Sequence, residues 1–183
     1  MTDARSTINA RLHSMLTIGT EGELPTDEIL RLRHFTVFLV LGIPTMVAFG
    51  LYHLILGNYT LCAFILISAL GLSTGWYLLR HSAHRHLVYQ CNALLFAGLL
   101  LYMVAVGGTD GSKCLWVYVF PLICFFLLGR DEGLWWTVGL LGMTVGIFLL
   151  PMGGIRQYAY SGDFKLRFVL TYVIVGAVTY WFE

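Results

Sequence analysis

The sequence predicts an all-α polytopic membrane protein: a bundle of six transmembrane helices preceded by an N-terminal amphipathic, juxtamembrane helix. Three observations predict it. The 183 residues are 58% apolar and only 11% charged, whereas about a quarter of the residues in an average globular domain are charged. The mean hydropathy is +0.77. Charged side chains are absent from the blocks 35–79, 87–109, 114–129, 134–155 and 168–182. About 20 apolar residues cross the hydrocarbon core of a bilayer, so the block 35–79 must hold two crossings, with Gly57-Asn58 as the turn between them.

The elements follow in order. Residues 1–34 form a polar N-terminal segment expected in the cytoplasm. Within it Ile8, Leu12, Met15 and Leu16 recur at helical spacing, as in a short helix lying on the membrane surface. The segment lacks the apolar core of a signal peptide. Gly19 to Pro25 breaks the helix, and Thr26, followed by Asp27 and Glu28, is placed to cap the next one. The spans are expected at about 35–56, 59–79, 87–106, 114–128, 134–152 and 166–182, each bounded by Gly, Pro, Asn or charged residues. Pro44 and Pro121 are expected to kink the first and fourth spans, since each removes a helix hydrogen bond. Gly71-x-x-x-Gly75 and Gly142-x-x-x-Gly146 read as close helix packing inside the bundle, with a dimer seam as the alternative.

Six spans put both termini on one side. Arg31, Arg33, Arg80, Arg85 and Arg130 flank the spans there, against Lys113, Arg156, Lys165 and Arg167 on the other, which favours cytoplasmic termini. The expected setting is the bacterial inner membrane. A net charge of +1 gives no basic footprint for nucleic acid. The cysteines, Cys62, Cys91, Cys114 and Cys124, have neither CxxC nor zinc-ligand spacing and read as free thiols.

No catalytic motif is present: there is no GxSxG elbow, no HExxH and no Walker loop. The scarcity of ionisable groups within the spans argues against a transporter or channel, which keeps such groups for its ions. His53 is the titratable exception, near the outer end of the first span beside Tyr52; it reads as an interfacial hydrogen-bonding residue or as part of a sensing site. His81, His84 and His86 cluster in Arg80–His86, but only His81 and His84 share a helical face, so a cationic loop against anionic lipid is the simpler reading than a metal site. On the outer side, Gly107-Gly108-Thr109-Asp110-Gly111-Ser112-Lys113 leads into Trp116, and the second outer loop carries Arg156, Tyr158, Tyr160 and Asp163. These loops either line a ligand mouth or form an ordinary solvated rim with an interfacial aromatic belt. His53, Asp110, Trp116, Arg156, Tyr158 and Asp163 are the candidate ligand-binding residues, for a small hydrophobic or amphipathic ligand of unknown identity.

The run Gly107-Gly108, Asp110-Gly111, Leu115-Trp116, Phe120-Pro121, Phe125-Phe126-Leu127-Leu128-Gly129 and Gly133-Leu134 resembles the membrane-associated sensor (MASE-like) regions that precede bacterial GGDEF diguanylate cyclases. Lys113 stands where a small residue is expected. Related six-span regions also precede histidine kinases. The resemblance implies an output domain beyond Glu183, a homodimer of cytoplasmic catalytic domains that makes cyclic di-GMP from GTP, and a regulatory role for the membrane part. The end at Tyr180-Trp181-Phe182-Glu183, without a helix stop, fits a chain that continues. Gly129-Arg130-Asp131-Glu132-Gly133 has the look of a GGDEF signature but is read as a tight turn between two spans.

Overall fold

The computed structural model describes residues 26–81, 84–151, 153 and 158–183. Six helices are long and apolar enough to cross a membrane: His34–Ile55, Tyr59–Leu79, Arg85–Val106, Gly111–Leu128, Arg130–Leu149 and Gly162–Phe182. With no water to satisfy an exposed backbone, helices are the economical way for such apolar segments to span lipid. The chain divides into two compact units, Met1–Arg85 and His86–Glu183. The expected surface helix over residues 7–18 lies outside the described residues.

The first unit is a helical hairpin. Helix α1 (Thr26–Ile55) is continuous through Pro44, and α2 (Tyr59–His81) follows. The turn between them is the predicted one: Gly57 takes φ 75°, the amide of Gly57 donates to the Leu54 carbonyl at 3.1 Å, and that of Asn58 to the His53 carbonyl at 2.9 Å. A left-handed glycine just past a helix end lets the chain reverse while the last carbonyls stay bonded. The hairpin packs closely at Gly50, where an added Cβ would lie 2.9 Å from Leu66 Cδ2. Hydroxyls along both helices donate to carbonyls one turn back, Thr36 to Leu32 and Ser68 to Phe64 among them, and so bring no unmet donor into lipid.

The second unit contains α3 (Arg85–Val106), a 3-10 helix (Thr109–Tyr118), α4 (Val119–Leu128), α5 (Arg130–Leu149) and α6 (Gly162–Phe182). The fourth span is thus half 3-10 and half α. Pro121 falls in the first turn of α4, where amides have no helical partner, so the expected mid-span kink becomes a change of helix type upstream of it. Gly129, at φ 80°, is the whole connection from α4 to α5. Arg130–Gly133 therefore belongs to α5, whose first turn places Asp131 and Glu132 at the positive end of the helix dipole. Helix α6 starts four residues before its apolar run, because Ser161 caps it by accepting from the Phe164 amide at 3.2 Å.

The glycine pair on α5 differs from the expected packing inside the bundle. At Gly142 and Gly146 an added Cβ would meet nothing within 4 Å, so this stripe of α5 packs against no neighbour in its unit. The close approach occurs instead at Gly133, where the Cβ would lie 2.9 Å from the Phe125 Cα. That contact draws α4 and α5 together directly beside their one-residue turn.

Candidate functional site

Two loops meet at one end of the second unit, and glycine makes the meeting possible. Gly107, Gly108 and Gly111 all hold positive φ, from 71° to 74°, a conformation that a Cβ disfavours. Gly107 could not carry a side chain for a second reason: its Cβ would fall 2.3 Å from the Tyr158 Cβ. Gly111 lies under both Tyr158 and Tyr160, whose ring atoms would be 3.1 and 3.0 Å from its Cβ. The turn closes on itself through the Lys113 amide, which donates to the Gly107 carbonyl at 3.2 Å.

Tyr160 is the centre of this arrangement. It is 7% exposed, and its hydroxyl donates to the Val104 carbonyl at 2.7 Å. Val104 lies in the last turn of α3, whose final carbonyls have no helical amide to accept from. Its ring meets Tyr158 edge-on at 4.8 Å, Phe148 at 4.9 Å and Phe164 in a stack at 5.2 Å. Burial, reinforced by the neighbouring Cys114 thiol and Tyr158 phenol, pushes the Tyr160 hydroxyl above its ordinary range, which keeps it protonated and donating. A second side chain does the same for α5: Lys165 Nζ donates to the Phe148 carbonyl at 2.9 Å.

From Tyr160 an aromatic column descends α6. Phe164 and Phe168 stack at 6.3 Å, and Phe168 and Tyr172 at 6.2 Å. Tyr118 of the 3-10 helix lies against Phe168 at 5.0 Å. Tyr172 donates to the Thr137 carbonyl of α5 at 3.1 Å, Gly176 sits 3.4 Å from Thr137 by its would-be Cβ, and Tyr180 meets Phe125 at 5.9 Å. At that far end the Arg130 guanidinium lies 4.1 Å over the Tyr180 ring. Positions 160, 164, 168, 172, 176 and 180 recur every fourth residue, a ridge of i, i+4 neighbours that winds gradually about the helix axis.

Of the sequence-predicted residues, Tyr158 joins the glycine turn. Trp116 and Asp163 are exposed, on the 3-10 helix and in the first turn of α6. Asp110 belongs to the 3-10 helix, and its side chain is not among those described; Arg156 lies outside the described residues. His53 sits in the first unit, its ring 5.5 Å from that of Tyr52. His81 ends α2 and His84 is exposed. His86 has a specific neighbour, Glu132, at 3.2 Å, and Gln90 donates to the same carboxylate at 3.3 Å, joining the start of α3 to the start of α5. Among the described residues no three His, Cys, Asp or Glu side chains converge on a metal position. Tyr160, Cys114, Lys165 and Glu132 were read from the sequence only as loop, thiol, flanking-charge and turn residues and Tyr118 was not singled out, so none was among the candidate site residues. The four-residue aromatic spacing was the available signal for the column.

A family model described as MASE6 matches residues 26–183. No curated protein matches the chain, and no solved structure does.

Proposed function

This chain belongs to the MASE6 family of membrane-associated sensor domains, and we propose that it is the sensory part of a longer signalling protein whose output is a diguanylate cyclase. In this reading the chain crosses the bacterial inner membrane six times with both termini in the cytoplasm. The signal is received at the end of the unit around Tyr158, Tyr160 and the Gly107–Gly111 turn, with Asp110 and Trp116 of the 3-10 helix, Asp163 of the first turn of α6, and Arg156, a candidate from the sequence alone, as further contributors. Helix α6 carries it to an output domain beyond Glu183. Two such chains pair, because joining two GTP molecules into cyclic di-GMP, with release of two pyrophosphates, brings two substrate-holding domains face to face.

The observation that carries this reading is the aromatic column. A sensor has to link its receiving end to its sending end by elements with discrete packings. Here one face of α6 is in ring contact from Tyr160 to Tyr172 and again at Tyr180, while the opposite face, with Leu166, Leu170 and Ile174, is exposed for lipid. A shift of the Tyr160 cap bears on the whole helix. Couplings between sites are commonly about 1–3 kcal/mol, the scale of one or two hydrogen bonds.

The test is chemical. The full-length protein, purified in bilayer nanodiscs and given GTP, is expected to form cyclic di-GMP and pyrophosphate in a 1:2 ratio. A full-length protein that leaves GTP intact but phosphorylates one of its own histidines from ATP would replace the cyclase by a kinase and leave the sensory role in place.

A further inference from the structure

Helix α3 stands apart from the helices it accompanies. When helix axes pack 8–10 Å apart, facing Cα atoms come within about 3.5–5.5 Å. Among the described residues no Cα of α3 approaches α4, α5 or α6 within 8 Å. Side chains bridge the gap: Gln90 and His86 to Glu132 at one end, Phe96 stacked on Phe120 at 6.4 Å midway, and Tyr160 to the Val104 carbonyl at the other end. Between the end bridges lies a 320 Å³ cavity.

Its buried base is made by Ala97 of α3, Phe120 of α4 and Leu140 of α5, with Trp136 beside them and Gly98 and Gly139 at its exposed side. Neither glycine has an atom within 4 Å of where a Cβ would be. The rim is open, with Leu94 61%, Trp135 76% and Met143 57% exposed. Gly139 lies about 14 Å along α5 from Arg130, at 1.5 Å per residue, so the cavity sits near mid-span, in the hydrocarbon depth. Its lining offers water only indole donors and the weak acceptor of the Met143 thioether, too few partners to hold a water there.

We infer that this slot between α3 and α5 is a binding site for a single unbranched alkyl chain taken up from the bilayer. The shape argues for a chain. The lining runs from Leu94 to Leu101 on α3 and from Trp135 to Met143 on α5, about 11 Å along the helices. Over that length the lining is apolar and open along one side, so an extended alkyl chain can lie along it from the surrounding lipid. The indole N–H groups, as donors only, suit the carbonyl or carboxyl oxygen of a fatty acid or a phospholipid ester. Binding stands independently of the output class. Its consequence, that chain length or supply sets the separation of α3 from α5 and so the signal, rests on the sensory reading.

The experiment uses the full-length protein in nanodiscs and two photoreactive probes, a diazirine-bearing free fatty acid and a diazirine-bearing phosphatidylcholine, with labelled peptides mapped by mass spectrometry. Saturable labelling of 94–101 and 135–143, competed by the unlabelled lipid, is expected from at least one probe. Labelling by the fatty acid alone assigns a free ligand, by the phospholipid alone a resident bilayer lipid, and by both any alkyl chain. Combining Gly98→Leu with Gly139→Leu fills the slot and should lower this labelling at least tenfold, while the exposed face of α6 labels as before. Helical content by circular dichroism checks the double variant, and competition in the unaltered protein decides the matter even if that variant misfolds. Labelling that never saturates, at the same density in the slot as on lipid-facing α6, would overturn the site. Saturable binding with an output unmoved by filling the slot would keep the site and reject the sensory reading.

Discussion

Single residues decide how the two long-loop ends of this bundle are closed. Val104 and Phe148 each offer a carbonyl near the end of a helix, and the partners are the Tyr160 hydroxyl, just before α6, and the Lys165 ammonium, in its first turn. Leaving a buried acceptor unpaired costs about 1–3 kcal/mol. Tyr160→Phe keeps the ring and its stack on Phe164 while removing the donor. It should lower the midpoint of thermal unfolding in detergent by roughly 2–12 °C, at about 2–4 °C per kcal/mol for a chain of this size. An unchanged midpoint would mean that the Val104 carbonyl finds another donor. None of this was legible in the sequence, because the partner of Tyr160 is a backbone oxygen 56 residues away, and backbone acceptors carry no sequence signature.

At the scale of helices, glycine content alone misleads, and the face on which a glycine sits decides its role. Gly133 puts α5 against the Phe125 backbone, whereas Gly142 faces open space. Gly133→Ala should therefore pry α4 from α5 and destabilise by about 1–3 kcal/mol, the usual penalty of overpacking. Gly142→Ala should be neutral or stabilise by up to about 1 kcal/mol through helix propensity. Thermal unfolding of the two variants side by side checks the pair, and equal destabilisation by both would place a neighbour over Gly142. Packing inside the bundle at Gly142 and Gly146 was misread for a physical reason, since the motif records a smooth helical stripe but not what lies opposite it, a neighbour in the chain or a second chain. The 3-10 onset of the fourth span, Thr109–Tyr118 after the positive-φ glycines Gly107 and Gly108, was equally hidden. The column on α6 was legible in principle, as aromatic residues every fourth position from Tyr160.

Across the whole molecule, the legible part is what lipid penalises most. An ion at mid-bilayer is costly enough to be nearly absent from spans, so the charge-free blocks mark the crossings closely: the expected 35–56, 59–79 and 87–106 meet helices at His34–Ile55, Tyr59–Leu79 and Arg85–Val106. The later spans start earlier than their apolar runs because polar residues, Asp131 and Glu132 in α5 and Ser161 and Asp163 in α6, stabilise first turns. The family was legible from the run 107–134, and the match over 26–183 extends it to the rest of the six helices. The candidate site was legible only as two loops, and the structure unites them through Tyr158 and the Gly107–Gly111 turn.

The central claim is that packing along α6 sets a cyclase output. Its most direct test is the rate of cyclic di-GMP formation by the full-length protein in nanodiscs, compared between Phe168→Ala and Leu170→Ala. Phe168 is 1% exposed within the column and Leu170 54% exposed on the lipid face of the same helix. The account predicts that Phe168→Ala changes the rate at least about fivefold, the lower end of typical allosteric couplings, and that Leu170→Ala leaves it unchanged. Equal rates in both variants and the unaltered protein, or no cyclic di-GMP from any of them, would contradict it.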